Sequence, residues 1–417
     1  MGLNVIVIGG GAAGLMAAAT AAKNGNNVTV IEKNERTARK ILVTGKGRCN
    51  LTNNCSKDEL MANIPKNARF LYSAFDAFDS KDTMEYFEDL GVPLKTERGN
   101  RVFPVSDKAM DIADALLKGV RKYGVKIING TAKEILAEEN KVWGVKLSDG
   151  SEILADKVIL ATGGASYPST GSTGDGYVMA EKLSHTVTEI RPSLIPICIK
   201  EGFCAKMMGL SLKNVLLTVF EDGKKKPIFS EQGEMLFTHF GISGPLVLSA
   251  SAHIRNISEK NYSCVLDLKP ALSSEQLDKR LQRDFLENSN KNFRNSLDAL
   301  LPQKMIPTIV TLSGIPNETK VNQINREQRT NLVSLIKNLK MTVTGFRPIE
   351  EAIITSGGIN IKEINSATME SKIISGLYFA GEIIDVDAYT GGFNLQIAFS
   401  TGYLAGNKVK GDNISGY

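Results

Sequence analysis

The sequence predicts an α/β protein in which a Rossmann-like domain is interrupted by an inserted domain. Three observations support this fold class. An apolar run at Val5–Ile8 leads into a glycine-rich turn and an alanine-rich segment, as in the first strand, turn and helix of a βαβ unit. Two further segments, at 157–164 and 376–382, are typical of parallel strands that are buried on both faces and end in small residues. From about residue 193 to 345 the pattern changes to alternating strands followed by amphipathic helices.

A glycine turn follows the first predicted strand with the spacing G-x-G-x-x-G, at Gly9, Gly11 and Gly14. In such a turn the first glycine permits a tight bend, the second lets a pyrophosphate approach the backbone, and the third lets helix and strand pack closely. The helix predicted over Leu15–Asn24 offers its free N–H groups and its positive dipole end to phosphates. This arrangement predicts a dinucleotide-binding site.

Glu32 ends the second predicted strand, Asn27–Ile31, about 20 residues beyond the glycine turn. A carboxylate in this position accepts hydrogen bonds from a ribose and repels a 2′-phosphate, so FAD and NAD are favoured over NADP. Two later segments resemble flavoproteins of the glutathione-reductase type, in which an Ala-Thr-Gly turn and a late strand ending in Gly-Asp complete the FAD site. The turn at 161–163 and the pair Gly381-Glu382 match this pattern, with glutamate for the usual aspartate, and they favour FAD.

Four longer motifs are more specific than the glycine turn. They are R-K-I-L-V-T-G-K-G-R-C-N-L-T-N at 39–53, T-G-G-A-S-Y-P with the T-G-S-T-G-D-G-Y that follows at 162–177, F-T-H-F-G-I-S-G-P at 237–245, and A-G-E-I-I-D-V-D with T-G-G-F-N-L-Q at 380–396. The chain resembles the BaiN-like (YhiN-like) family of bacterial NAD(P)/FAD-dependent oxidoreductases in these motifs and over essentially its whole length. One departure is Ala38, where the family is expected to have glycine.

The resemblance and the glycine motifs together predict the residues that bind FAD. They are Gly9, Gly11, Ala12, Ala13, Gly14, Glu32, Lys33, Arg39, Lys40, Gly47, Arg48, Cys49, Asn50, Thr52, Ala132, Thr162, Gly163, Gly381, Glu382, Gly392, Phe393, Asn394 and Leu395. Arg39 and Lys40 either reach the adenylate phosphates or form a solvated surface pair. Arg48 serves either a negative charge on flavin or substrate, or a structural carboxylate. Cys49 is favoured as a small packed residue over a redox thiol, because no partner cysteine is near it in sequence. No metal site is predicted.

One segment predicts a redox role beyond simple binding, and a second predicts backbone contacts with the cofactor. The pair Gly391-Gly392 precedes a helix-like run at Leu395–Gly402. A helix N-terminus directed at the N1–C2=O edge of the flavin would stabilise the negative charge of reduced flavin. The loop Gly45–Asn53 is suited to laying backbone N–H groups along the cofactor.

Three side chains are candidates for catalysis. His239 is one of only three histidines and is of the type that serves acid–base catalysis, although a structural hydrogen bond is the favoured interpretation. Tyr167 and Tyr389 follow FAD-site motifs and would line the flavin face. The chain has no second G-x-G-x-x-G in a βαβ setting, so a permanent NAD(P) domain is not predicted. NAD(P)H would visit the flavin face and leave before the acceptor enters, which predicts ping-pong kinetics.

The predicted FAD-binding domain comprises residues 1–192 and 346–417, and the β-barrel-like plus helical insert comprises 193–345. In the first domain we expect a helix at 109–124 and an antiparallel excursion of strands near 125–130, 141–147 and 152–160. In the insert we expect strands at Ile195–Ile199, Asn214–Phe220 and Tyr262–Leu268, and helices at Ser274–Phe285, Phe293–Leu300 and Arg326–Leu339. Ser243 is the predicted N-cap of a further helix over Leu246–Ala252. Such an insert usually caps the flavin face and shapes substrate access.

Composition limits the other classes of function. The chain is 42% hydrophobic and 23% charged, as in ordinary folded soluble proteins. Its net charge of +5 is spread without a long run of one sign and aromatic residues make up 6%, so no nucleic-acid partner is expected. The five cysteines form no C-x-x-C pair, and neither a signal peptide nor an apolar run of about 20 residues is present. These features predict a cytoplasmic protein with no membrane partner, and they leave its oligomeric state open.

The predicted function is that of an FAD-dependent oxidoreductase transferring a hydride between flavin N5 and a small-molecule organic substrate. The family resemblance implies reduction of unsaturated, enone-type compounds, as in bile acid reductases, with NAD(P)H as a transient donor. It also implies an alternative in the opposite direction, the oxidation of amines such as aminoacetone. A flavin-binding RNA-modification factor and a non-catalytic flavoprotein are alternatives of other classes.

Overall fold

The computed structural model describes residues 2–410. This part of the chain divides into two compact units, which are residues 2–193 with 348–410 and residues 194–347. We call them the Rossmann unit and the insert. None of the helices within residues 2–410 is long and apolar enough to cross a membrane.

The Rossmann unit begins with the strand β1 (Asn4–Ile8), the helix α1 (Ala12–Lys23) and the strand β2 (Asn27–Glu32). The elements that follow are α2 (Arg39–Val43), β3 (Thr52–Asn53), α3 (Lys57–Ala62), α4 (Tyr72–Ala77), α5 (Ser80–Asp89), β4 (Leu94–Glu97), β5 (Arg101–Pro104) and α6 (Ala109–Lys122). The first part of the unit ends with β6 (Lys126–Asn129), β7 (Ala132–Glu138), β8 (Lys141–Leu147), β9 (Glu152–Leu154), β10 (Lys157–Leu160), α7 (Asp175–Lys182) and β11 (Arg191–Ser193).

The insert follows, and the chain then returns to the Rossmann unit. The insert contains β12 (Ile197–Ile199), α8 (Phe203–Lys206), β13 (Ser211–Glu221), β14 (Phe229–Phe237), β15 (Gly241–Ser243), α9 (Pro245–Ser251), β16 (Tyr262–Asp267), α10 (Ser274–Glu287), α11 (Ile306–Ser313), α12 (Arg326–Lys337) and β17 (Leu339–Phe346). The returning elements are β18 (Ile354–Ser356), β19 (Leu377–Phe379) and α13 (Phe393–Lys408).

A five-stranded parallel sheet of order β19-β10-β1-β2-β6 forms the centre of the Rossmann unit. The middle strand β1 has four buried apolar residues, Val5–Ile8, as a strand covered on both faces requires. The helices α1 and α13 pack closely, because a Cβ atom at Gly402 would lie 2.4 Å from the Ala13 carbonyl oxygen and one at Gly406 would lie 2.3 Å from that of Ala17. The sheet therefore brings the carboxyl ends of β1, β10 and β19 side by side.

The antiparallel excursion differs from its prediction in two respects. The predicted strand near 125–130 is β6, which pairs in parallel with β2 and so belongs to the central sheet. The segment predicted as one strand over 152–160 is split into β9, in the antiparallel sheet β7-β8-β9, and β10, in the central sheet. The strand β7 was not predicted, because its Ala-, Glu- and Lys-rich composition is typical of a helix and only pairing with β8 makes it a strand.

The insert consists of a closed six-stranded barrel of order β12-β15-β14-β13-β16-β17, together with helices. The α/β class, the interrupted Rossmann fold and the barrel-like insert are thereby confirmed. The segment predicted as a helix at Phe293–Leu300 forms only a short 3₁₀ turn over Phe293–Asn295, since its Asn and Ser side chains compete with helical hydrogen bonds. The N-cap of α9 is Gly244, not the predicted Ser243, which lies in β15 and pairs with Leu236.

Candidate FAD-binding site

The glycine turn between β1 and α1 has the geometry that its spacing predicts. Gly9 has a φ of +104°, and a Cβ atom there would lie 2.5 Å from the Ala161 carbonyl oxygen. A Cβ atom at Gly14 would lie 1.9 Å from the Gly9 carbonyl oxygen. At Gly11, by contrast, no atom lies within 4 Å of the Cβ position. Two of these glycines therefore serve packing within the protein, and Gly11 leaves open space at the N-terminus of α1.

The carboxylate of Glu32, at the end of β2, points back to this turn. Its Oε2 accepts a hydrogen bond from the Gly10 N–H at 2.7 Å, and its Oε1 accepts from the Asn34 N–H at 2.8 Å and Nδ2 at 2.7 Å. A carboxylate offers about four lone-pair positions, so one remains for a ribose hydroxyl. Ala132 is also near this end of β2, two residues after Gly130, whose N–H donates to the Glu32 carbonyl oxygen at 3.0 Å.

Three basic side chains that follow β2 and are predicted to bind FAD, those of Lys33, Arg39 and Lys40, have protein partners. Lys33 donates to Thr173 Oγ1 at 2.6 Å and to Asp175 Oδ2 at 2.7 Å. The exposed Arg39 side chain donates to Asn34 Oδ1 at 2.9 Å.

Lys40 forms an ion pair within the Rossmann unit. Its Nζ lies 2.6 Å from Glu382 Oε2 and 2.7 Å from Ser166 Oγ, and its side chain is 22% exposed. The interpretation of Lys40 as one of a solvated surface pair is therefore wrong, because its ammonium faces a partly buried carboxylate.

The loop from Gly45 to Asn50 has an unusual backbone. Gly45, Lys46 and Gly47 have φ angles of +56°, +59° and +84°, and Cys49 has +57°. Arg48 is right-handed and Cys49 after it is left-handed, an arrangement in which successive backbone N–H groups make a concave site for a polar or anionic ligand. Non-glycine residues pay for such angles with strain, which concentrates at functional sites. The Asn50 Oδ1 atom is buried without a hydrogen-bond partner among residues 2–410, so this loop holds an acceptor that a bound ligand would satisfy.

Arg48 pairs with structural carboxylates. It donates to Asp107 Oδ1 from Nε at 2.9 Å and from Nη2 at 2.6 Å, and it also binds Glu97. Its guanidinium lies 4.2 Å from the centre of the Phe103 ring. The Arg48 side chain thus holds the Gly45–Asn50 loop to the segment around β4 and β5. This is the predicted alternative in which Arg48 pairs with a structural carboxylate.

Cys49 is a packed residue. It is fully buried, and burial raises the pKa of its thiol to about 12, against a smaller opposing effect of a hydrogen bond with Thr44. The thiolate, which is the reactive form, is therefore not populated near neutral pH.

Cys49→Ala is expected to retain FAD, and its flavin should be reduced at a rate within about twofold of wild type, because the packed Cys49 thiol takes no part in the chemistry. A twofold change in rate corresponds to well under about 1 kcal/mol of activation free energy. Its unfolding free energy should fall by about 1 kcal/mol, the common cost of a core truncation. Stopped-flow reduction and urea denaturation check both values. Cys264→Ala, at a fully buried cysteine of the insert, is the matched control for stability. Loss of flavin reduction in Cys49→Ala alone would contradict the packing role.

The N-terminus of α13 lies against β3. Gly392 is the N-cap with a φ of +97°, and a Cβ atom there would lie 2.4 Å from the carbonyl carbon and oxygen of Thr52. The Thr52 hydroxyl donates to Gln396 Oε1 at 2.5 Å, deep in the unit. The amide of Asn394 binds the backbone of Ala388 in both directions, at 2.8 and 2.9 Å, and so holds the preceding loop. A helix of 16 residues therefore presents free N–H groups next to the 49–53 segment.

The remaining predicted residues are distributed between the two units. Phe393 is buried and Leu395 is half-buried in the first turn of α13. Tyr167 is half-buried with a φ of +52° and directly follows Ser166, and half-buried Tyr389 donates its N–H to the Asn63 carbonyl oxygen at 3.0 Å. His239 is exposed in the insert, where its ring lies 4.9 Å from that of Phe240.

Two residues of the site were missed by the sequence analysis. Ser166 donates to Glu382 Oε1 at 3.1 Å, and Thr355 donates its N–H to the same oxygen at 2.8 Å. Ser166 lies inside the T-G-G-A-S-Y-P motif at 162–168, so its position in the sequence indicated a role in the site. Thr355 precedes the pair Gly357-Gly358 and has no signal of its own except this proximity.

Comparison with known proteins identifies the family and the fold of this chain. The chain matches the family model described as HI0933-like protein Rossmann domain over residues 3–408. It is 32% identical to a 3-dehydro-bile acid delta(4,6)-reductase of Clostridium scindens, over 91% of each chain. It is also 32% identical to a ribosomal RNA dihydrouridine synthase of Haemophilus influenzae, over 95% of this chain and 96% of that protein. The solved structure of a 3-ketosteroid delta1-dehydrogenase of Sterolibacterium denitrificans has a TM-score of 0.53 at 14% identity, covers 97% and 98% of the two chains, and shows a shared fold.

The glycine turn, the acid that ends β2 and the three adjoining strand ends define an FAD-dependent oxidoreductase with a Rossmann-type fold. The chain belongs to the HI0933-like family, and the predicted resemblance to BaiN-like and YhiN-like proteins is confirmed. The residues present fit the cofactor, because the space at Gly11 and the unpaired Asn50 oxygen are both features that a ligand would fill.

Proposed function

We propose that this protein is an NAD(P)H-dependent reductase of a carbon–carbon double bond conjugated with a carbonyl group. The observation that carries the proposal is the chemistry common to two relatives that match this chain over more than nine-tenths of its length. The two double bonds of a Δ4,6-3-oxo compound and the C5=C6 bond of uracil are all conjugated with a carbonyl. Reduction of either adds a hydride to the carbon remote from that carbonyl and a proton to its neighbour.

The residues of the Rossmann unit have distinct tasks in this proposal. Bound FAD supplies the hydride-transfer chemistry. Gly11 and the N-terminus of α1 accommodate the pyrophosphate, and Glu32 and Glu382 accept hydrogen bonds from hydroxyl groups of the cofactor. The N-terminus of α13, beginning at Gly392, stabilises negative charge that develops at the flavin edge. Tyr167 lies next to the Glu382 contact and is proposed to line the flavin face.

A proton must also reach the substrate. Cys49 is unsuited to this task, because burial holds its thiol in the protonated form without access to solvent. We propose His239 and Tyr389 as the donors to test first, each being replaced singly by Gln or Phe. NAD(P)H is proposed as the transient donor, with FAD in the Rossmann unit as the resident cofactor.

The preferred substrate is a small enone-type molecule, and a uracil base in ribosomal RNA is the second candidate. One structural observation favours the second. The insert contains 21 Lys and Arg against 14 Asp and Glu residues, a formal charge of +7, so the rest of the chain carries −2. The net positive charge, which was expected to be spread along the chain, is therefore concentrated in the insert. Such a concentration of positive charge favours binding of a polyanion. A nucleic-acid partner, which the composition did not lead us to expect, is therefore the second candidate.

Anaerobic titration with NADH and NADPH separately tests the proposed function. We expect one of them to bleach the flavin absorbance, and an enone steroid or unmodified ribosomal RNA to restore it. Mass spectrometry then detects the saturated steroid or dihydrouridine, and RNA turnover should fall steeply with added salt whereas enone turnover should not. Parallel double-reciprocal plots are expected for donor and acceptor. Bleaching by aminoacetone and by neither nicotinamide would overturn the proposal in favour of amine oxidation.

A further inference from the structure

Thr355 lies in β18, the strand by which the chain returns from the insert to the Rossmann unit. It is 1% exposed. Its Oγ1 accepts hydrogen bonds from two successive backbone groups, the N–H of Ala165 at 2.8 Å and that of Ser166 at 3.1 Å. Its own N–H donates to Glu382 Oε1 at 2.8 Å. One buried threonine thus holds both a turn that follows β10 and a carboxylate that follows β19.

The contacts of Glu382 complete a closed network. Ser166 Oγ donates to Oε1 at 3.1 Å, and Lys40 Nζ lies 2.6 Å from Oε2. The turn lies close against both side chains, because a Cβ atom at Gly164 would lie 2.4 Å from Thr355 Oγ1 and 2.8 Å from Glu382 Oε1. Three of the roughly four acceptor positions of the carboxylate are taken by the protein, which leaves one for a ligand.

We propose that Thr355 is a positioning residue for the FAD site. Its hydroxyl oxygen holds the 163–166 turn in the conformation from which Ser166 reaches Glu382, and its N–H orients the same carboxylate. Glu382 then presents its remaining acceptor position in one direction only. The proposal rests on the assignment of Glu382 as an FAD ligand, and so on the proposed function.

The test compares Thr355→Val, which keeps the shape and removes the acceptor, with Thr355→Ser, which keeps the acceptor. FAD is removed from each protein, and the dissociation constant is measured by fluorescence titration of the apoprotein. We expect Thr355→Val to bind FAD about tenfold more weakly, because two buried N–H groups lose their acceptor and the turn relaxes from its binding conformation. Thr355→Ser should restore the affinity to within about twofold of wild type.

Thr20→Val is the matched control. Thr20 is 7% exposed in α1, and its hydroxyl donates at 2.8 Å to Met16 of its own helix and has no role in the network. This variant should bind FAD like wild type. Equal affinity of Thr355→Val and wild type would overturn the proposal, as would equal weakening in Thr355→Ser and Thr355→Val.

Ser166→Ala provides a second measurement that does not depend on the folding of Thr355→Val. We expect it to weaken FAD binding by about fivefold, and the double variant Thr355→Val with Ser166→Ala to be little weaker than Thr355→Val, since one residue acts through the other. Wild-type affinity in Ser166→Ala, or full additivity in the double variant, would overturn the positioning role. Failure of the wild-type chain itself to bind FAD would instead remove the proposed function, so the two failures are distinguishable.

Discussion

Gly11→Val is expected to abolish FAD binding and to leave the apoprotein folded. Gly11 has φ −84° and ψ −168°, which any residue adopts, and no protein atom lies within 4 Å of its Cβ position. The Cβ atom of the new side chain therefore meets no protein atom in the apoprotein. It would occupy the space that a pyrophosphate needs at the N-terminus of α1. We expect the affinity for FAD to fall by at least about a hundredfold, equivalent to roughly 3 kcal/mol.

The unfolding free energy of apo Gly11→Val should stay within about 1 kcal/mol of wild type, which is the ordinary cost of replacing an N-cap glycine by an apolar residue. Gly202→Val is the matched control. Gly202 is the N-cap of α8 in the insert, and it also has no atom within 4 Å of its Cβ position. This control should purify with a full complement of flavin. Retention of bound flavin by Gly11→Val would show that the pyrophosphate does not pass this glycine.

Gly392→Ala is expected to weaken both the fold and FAD binding. The added methyl group would lie 2.4 Å from the carbonyl carbon and oxygen of Thr52, and the φ of +97° is unfavourable for alanine. The left-handed angle alone costs about 1–2 kcal/mol, and the overlap must move α13 away from β3. We expect the unfolding free energy of the apoprotein to fall by about 3 kcal/mol, measured as a lower urea midpoint at unchanged m-value. FAD affinity should fall with it, because the N-terminus of α13 is displaced.

Gly25→Ala separates the backbone cost from the overlap. Gly25 has a similar φ of +88°, but no atom lies within 4 Å of its Cβ position. This variant should lose only the 1–2 kcal/mol of the left-handed angle and keep its FAD affinity. If Gly392→Ala and Gly25→Ala were equally destabilised, close approach of α13 to β3 would not be a determinant of the site.

Local signals predicted the first βαβ unit of this protein correctly. The strand, turn, helix and terminal acid lie within the first 32 residues, and each depends on sterics or patterning over a few neighbours. The helices at 109–124, 274–285 and 326–339 were predicted with ends that differ by only two residues from those observed. Prediction failed at β7 and at 293–300, where pairing with a neighbouring strand or local side-chain competition outweighs intrinsic preference.

The sequence alone determined the backbone geometry of the candidate dinucleotide site at the end of β1, because the spacing of Gly9, Gly11, Gly14 and Glu32 expresses constraints on one short stretch of backbone. Only the tertiary structure decided the partners of the charged and polar groups around that site. Lys40 and Glu382 are 342 residues apart, and Thr355 is 189 residues from Ser166. The sequence around a lysine or a carboxylate does not indicate which residue will be its partner. Ser166 and Glu382 meet because the parallel strands β10 and β19, which precede them, are neighbours in the central sheet, and Thr355 reaches both from β18, which pairs antiparallel with β11.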